Sequence, residues 1–201
     1  KWISAPPIAE EKLIEINSWR NRLYQLKLIG QYNNGIGFGN ISIRNCALHT
    51  AVGNRGKEFI VSGTSTGNLP RLNPEHYTTV IDFDWDKNFV SCVGPIQASS
   101  ESLTHAAIYE ANPHINAVIH VHDRDLWENL IDLVPTTARD CAYGTPEMAK
   151  EIIRLCQQDD LRSSKILVMS GHEEGIITFG HSLDEAGEVL MKYYQLDKKK
   201  K

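Results

Sequence analysis

Ala117-Val118-Ile119-His120-Val121-His122 is the stretch on which the reading of this chain turns. Ile115 to Val121 forms a short apolar, β-branched run bounded by Pro113 on one side and charged residues on the other, the pattern of a buried strand. Side chains two apart on a strand share a face, so the imidazoles of His120 and His122 can converge on one cation. Neutral imidazole suits zinc and other first-row divalent ions. Paired histidines also occur on protein surfaces without any metal, so the pair acquires meaning only if other ligands join it.

On its N-terminal side a helix is expected to start near Ser99 or Ser100, with the serines as caps and Glu101 in the first turn, and to run to about Ala111. Glu101 and His105, four residues apart, then lie on one helix face. A carboxylate at that position also simply complements the helix dipole. On the C-terminal side, Gly171-His172-Glu173-Glu174-Gly175 fills a turn between expected strands at Lys165 to Met169 and Gly175 to Phe179. Connecting turns often carry function, although two glutamates there are equally at home as solvated groups.

Two glycine-rich loops accompany these residues. Gly35-Ile36-Gly37-Phe38-Gly39-Asn40 follows a helix rather than a strand and has Asn40 where a dinucleotide fingerprint needs its third glycine. Gly63-Thr64-Ser65-Thr66-Gly67 matches the spacing of a nucleophile elbow, but Pro70 and Pro74 disfavour the helix that must follow. Both loops, with Ser99 and Ser100 at a helix start, read better as backbone and hydroxyl donors for an anion such as phosphate. The plainer alternative is two turns and a cap.

The remaining periodicity predicts helices from Leu13 to Leu28, Asp125 to Leu130, Pro146 to Gln157 and Ser182 to Gln195. Further strands are expected at Ile41 to Arg44 and Glu58 to Ser62, with a hairpin from Val80 to Val93. This order implies a layered α/β sandwich with much antiparallel pairing, in one domain spanning residues 1 to 201 and ending in a disordered lysine-rich tail from about 197. With 21 Lys plus Arg against 25 Asp plus Glu, the formal charge of −4 argues against a nucleic-acid partner. No apolar run is long enough to span a membrane and no leader is recognisable, so a cytoplasmic location is expected. Cys46, Cys92, Cys141 and Cys156 are scattered, which suggests buried hydrophobes rather than a zinc cluster or disulfides.

In order, Gly39-Asn40-Ile41-Ser42-Ile43-Arg44, Ser99-Ser100-Glu101 with His105, and His120-Val121-His122, followed by Gly175 to Gly180, resemble the class II aldolase/adducin family over nearly the whole chain. The resemblance implies a three-layer α/β/α sandwich with a central, largely antiparallel mixed sheet. It also implies a divalent ion, Zn2+ foremost, on His120, His122 and a third residue, with Glu101 as general acid/base. Asn40, Thr64 (or Thr66 with Gly67), Ser99 and Ser100 would hold a substrate phosphate. The activity so implied is that of a lyase acting on a small hydroxylated carbonyl compound such as a sugar phosphate, in which a bound cation polarises the carbonyl and stabilises an enediolate while Glu101 moves the proton. The site would sit in a cyclic homo-oligomer, a tetramer by resemblance.

Two departures from the family bear directly on the metal site and the proton donor. Where the family has its third metal-binding histidine, immediately before the glycine that opens the last strand, this chain has Glu174; a carboxylate can replace imidazole on zinc, with His172 as the alternative ligand. The segment between His122 and Tyr143 is short and lacks the tyrosine with which the aldolases protonate the departing aldehyde. An epimerase or dehydratase using the same metal site, and a non-catalytic adducin-like interaction domain, are the competing readings.

Overall fold

The computed structural model describes residues 1–44 and 58–199; Cys46 lies outside them. Among these residues are ten strands: β1 (Trp2–Ser4), β2 (Gly30–Gln31), β3 (Gly37–Phe38), β4 (Asn40–Arg44), β5 (Phe59–Ser62), β6 (Tyr77–Asp84), β7 (Phe89–Gly94), β8 (Ala117–His122), β9 (Ile166–Val168) and β10 (Gly175–Gly180). The six α-helices are α1 (Ile14–Gln25), α2 (Ser102–Ala111), α3 (Arg124–Leu130), α4 (Pro146–Cys156), α5 (Asp159–Ser164) and α6 (Leu183–Lys198). Eight strands form one sheet in the order β1-β7-β6-β5-β4-β8-β10-β9, and β2 and β3 form a separate two-stranded ribbon. Every pairing in the large sheet is antiparallel except that of β1 with β7.

The three layers follow from strand alternation. On β8, Ala117, Ile119 and Val121 face an apolar core completed by Ile16, Trp19 and Leu23 of α1, by Leu126 of α3 and by Leu183, Ala186 and Leu190 of α6. Val118 faces the opposite core, built with Leu103, Ala107 and Ile108 of α2 and Met148, Ile152 and Leu155 of α4. His120 and His122 have the parity of Val118 and continue its face beyond that core. Burial on both sides of β8 explains why its sequence is nearly continuously apolar instead of alternating. The sandwich expected from the sequence is thus the observed fold.

Local chemistry sets most element ends. Asp123, Thr145 and Ser182 cap α3, α4 and α6, each accepting a backbone N–H three residues on. The start of α2 differs from expectation: the helix begins at Ser102, so Glu101 rather than either serine stands at the cap position, where no side chain caps the helix, and Ser99 Oγ accepts from Asn40 Nδ2 at 2.8 Å and Glu101 N at 3.4 Å. Helix α6 continues to Lys198, past the point where the tail was expected to begin, because Asp197 is buried and accepts from Asn129 Nδ2 at 2.7 Å. Cys92 and Cys156 are buried and Cys141 partly so, as free thiols.

Helices α1 and α6 touch through Gly187, where an added Cβ would stand 2.2 Å from Trp19 Cη2. The same indole donates to Asp184 Oδ1 at 2.7 Å, which pins the ring. Gly187→Ala is therefore expected to destabilise the protein by about 1–3 kcal/mol through overpacking. That loss outweighs the roughly 1 kcal/mol of helix propensity gained, and the midpoint of a urea titration reads it.

Candidate metal centre and anion cleft

Register on β8 places the histidines. His120 pairs with Asn40 of β4 on one side and Ile177 of β10 on the other, while His122 pairs with Gly175. The chain turns back immediately before Gly175: Glu174 has φ +69, and the turn closes with His172 N donating to Met169 O at 3.1 Å and Gly175 N donating to His172 O at 2.9 Å. This reversal carries the His172 ring over the strand. Ring centroids are 4.9 Å apart for His120 and His122, 5.1 Å for His120 and His172, and 4.6 Å for His122 and His172. One nitrogen from each ring lies within 4.8 Å of the others.

Electrostatics and hydrogen bonding fit this group to a cation. Burial, and secondarily the neighbouring rings, lower the pKa of His120 far below the usual histidine range; burial is the main cause that takes His122 to about 3 and His172 to about 4. All three are consequently neutral at pH 7, with lone pairs available. Both ring nitrogens of His120, Nε2 of His122 and Nδ1 of His172 are buried with no partner among the described residues. Buried polar atoms are seldom left so, and a metal ion is the ligand that several converging imidazoles would satisfy.

Glu174, favoured as third ligand from sequence, is not in this group. Its positive φ turns the carboxylate aside, to accept from Tyr32 Oη at 2.5 Å and to lie 3.8 Å from Arg124 Nη1. His172, the sequence alternative, occupies the place instead. Glu173 is exposed and paired with Arg124 at 2.7 Å.

The imidazoles open into a cleft of about 620 Å³ that also contains Asn40, Thr64, Thr66, Gly67, Ser99, Ser100 and Glu101. Glu101 is only 3 % exposed. Burial raises its carboxyl to about 7, against a smaller downward pull from the Thr104 hydroxyl, which donates to Oε2 at 3.0 Å. Its Oε1 has no partner among the described residues. Gly144, at φ +66, passes close enough that an added Cβ would lie 3.7 Å from Oε1, in ordinary contact. His105, one turn along α2, bonds through Nδ1 with Ser42 Oγ at 2.7 Å and belongs to the buried frame rather than to the cleft lining.

At the other end of the cleft, Asn40 Nδ2 donates to Ser99 Oγ at 2.8 Å, joining two of the anion-binding candidates. Thr66 Oγ1 donates to Gly63 O at 2.9 Å and so closes its own loop, leaving Thr64 as the freer hydroxyl. Arg20 anchors this loop from below. Its Nη2 donates to Thr66 O at 3.0 Å and Gly67 O at 3.2 Å, although the side chain is 1 % exposed. Sequence reasoning did not single out Arg20, a cation on the buried side of α1. It also missed Tyr32, Phe38 and Tyr143, which line the cleft; the two aromatics set among glycines at residues 32–39 were the available signal. Tyr143 stacks on His172 with centroids 4.5 Å apart.

Residues 28–195 match the family described as Class II Aldolase and Adducin N-terminal domain. An L-fuculose phosphate aldolase of Methanococcus vannielii is 28 % identical over 148 residues, covering 65 % of this chain and 72 % of the relative. Among solved structures, an L-fuculose 1-phosphate aldolase superposes with a TM-score of 0.69 at 16 % identity, over 96 % of this chain and 85 % of the other. A sugar-phosphate aldolase from Thermotoga maritima gives 0.67 at 15 % identity, over 94 % and 92 %. Among the described residues no helix is long and apolar enough to cross a membrane. With the match extending over most of its length and including both β8 and the two glycine-rich loops, the chain belongs to the class II aldolase and adducin N-terminal domain family.

Proposed function

We propose that this protein is a divalent-metal-dependent aldehyde-lyase of the aldolase type, acting on a small phosphorylated hydroxycarbonyl compound. The observation that carries the reading is the shared cleft, into which a buried carboxyl and three imidazoles, each with a ring nitrogen that lacks a partner among the described residues, open beside loops rich in hydroxyl and N–H donors. His120, His122 and His172 would hold the ion, Zn2+ foremost because neutral imidazole suits that borderline cation. What a divalent ion bound there supplies is polarisation of the substrate carbonyl.

The chain's own residues do the rest. Thr64, Gly67, Ser99 and Ser100, with Asn40 orienting Ser99, bind the anionic end and fix the substrate in the cleft, while Thr66 shapes the loop. In cleavage the hydroxyl that becomes the aldehyde gives up its proton to water as the carbon–carbon bond breaks, and Glu101 delivers a proton to the carbon beside the carbonyl; in the condensation direction Glu101 removes that proton and the new hydroxyl takes one from water. A pKa near 7 serves both directions, because each protonation state is populated at neutral pH.

Aldehyde release from ketose 1-phosphates, beginning with L-fuculose 1-phosphate, tested alongside metal stoichiometry, decides the matter. One ion per chain and chelator-sensitive cleavage are expected; absence of both sinks the reading. Arg20→Met supplies a further check. Loss of two charge-assisted hydrogen bonds to the loop carbonyls, each contributing about 1.5–3 kcal/mol, should loosen the anion end. KM for the phosphorylated substrate is expected to rise by at least about tenfold, the equivalent of roughly 1.4 kcal/mol, with kcat changing less.

A further inference from the structure

We propose that Tyr32 and Glu174 form an outer hydrogen-bond relay that fixes the tautomer of His122 and so presents Nε2 of that ring to the cation; Tyr32 is a positioning residue. This deepens the metal-centre reading and rests on it.

Proton counting gives the assignment. Tyr32 Oη is 2.5 Å from Glu174 Oε2 and 2.8 Å from His122 Nδ1. An ionised carboxylate only accepts, so the single phenol proton goes to Glu174. The Tyr32 oxygen can then only accept from His122, which requires the proton of that imidazole on Nδ1. Nε2 is left with its lone pair, and it is this atom that is buried without a partner among the described residues.

Three further contacts hold the relay in place. Phe38 packs on both rings, with centroids 4.5 Å from Tyr32 and 5.4 Å from His122. Arg124 lies 3.8 Å from the second Glu174 oxygen and is itself held by Glu128 at 3.1 Å and Glu173 at 2.7 Å. The left-handed backbone at Glu174 aims its carboxylate at Tyr32 while the same turn brings His172 to the imidazole cluster. One reversal thus separates two roles that the sequence alone left interchangeable. Outer partners of this kind orient a ligand and raise its basicity, and their loss costs about 10–100-fold in metal affinity.

The test uses the full chain and Co2+ as the probe. In metal-free protein at pH 7.5, long-range 15N–1H spectra should show His122 as the Nδ1–H tautomer, and Tyr32→Phe should convert it to a mixture. Competition with a chromogenic chelator should show Tyr32→Phe binding one Co2+ about 10–100-fold more weakly than wild type. Glu174→Gln should weaken binding at least as much, since its amide can donate to Tyr32 and turn the phenol O–H toward Nδ1 as a donor, leaving the proton of His122 on Nε2. Metal-free melting temperatures separate positioning from packing: a lowered melting point with unchanged Co2+ affinity overturns the relay. So do affinities within about threefold of wild type for both variants, or a His122 tautomer that ignores them. If wild type binds no Co2+ at all, the failure lies with the metal centre, and the tautomer spectra still judge the relay.

Discussion

Glu101→Gln is expected to retain its metal, lose cleavage activity by about 10²–10⁴-fold, and yet fold more stably than wild type above neutral pH. The first two outcomes separate proton transfer from ion binding, since Glu101 lies outside the imidazole group. Stability follows from linkage. Burial raises the carboxyl to about 7 from the ordinary 4.5, so between those values the folded protein binds more protons than the unfolded chain. Stability contributed by this group accordingly falls as pH rises from about 4.5 to 7, and above 7 the buried charge costs about 3 kcal/mol. Gln removes that charge while keeping an oxygen able to accept from Thr104. Urea titrations of metal-free wild type and variant at pH 5 and pH 8 measure it: the curves should nearly coincide at pH 5 and separate at pH 8. Equal separation at both would show that Glu101 does not titrate near neutrality in the folded protein.

Buried His105 pulls in the opposite direction over part of this range. Burial lowers it to about 3, so the unfolded chain takes up its proton first and stability is lost as pH falls from about 6.5 toward 3. Both proteins carry His105, so its contribution cancels in the comparison. The difference between the curves isolates the carboxyl.

Much of the fold was legible because its signals are local. β8 is apolar on both faces since helices cover both, and Thr145, Ser182 and Asp123 are caps whose position follows from their own hydrogen bonds. The HxH pair could be read because strand parity needs no knowledge of the rest of the chain. β1 escaped notice: it is a three-residue edge strand, exposed throughout, with no burial pattern to betray it. Arg20 escaped for the opposite reason. It is a cation at an apolar helix position, retained there by two carbonyls from a loop 46 and 47 residues away. The positions of the Glu174 and His172 side chains depended on one backbone dihedral. An extended chain would have placed residues 172 and 174 on one face, whereas the left-handed turn at Glu174 parts them, and nothing in Gly-His-Glu-Glu-Gly specifies which of its residues will adopt it.

That separation makes His172→Ala the decisive ligand substitution. The turn is held by backbone hydrogen bonds from His172 N to Met169 O and from Gly175 N to His172 O, so deleting the imidazole should leave the backbone path intact. Two histidines on one strand remain, and two nitrogen donors at adjacent positions leave half of a tetrahedral site to water. Affinity should fall by more than the roughly 100-fold upper range of an outer-partner defect, so that dialysed protein retains no stoichiometric ion by elemental analysis and cleavage vanishes with it. Glu174→Ala, by contrast, should still reach one ion per chain once the metal is supplied in excess. The reverse ranking, with Glu174→Ala empty and His172→Ala full, would return the carboxylate to the ligand set. Tyr143→Ala completes the comparison: it removes the ring stacked on His172 without removing a nitrogen donor. It should therefore alter KM while leaving metal content at one, whereas a defect routed through the ligand would empty the site.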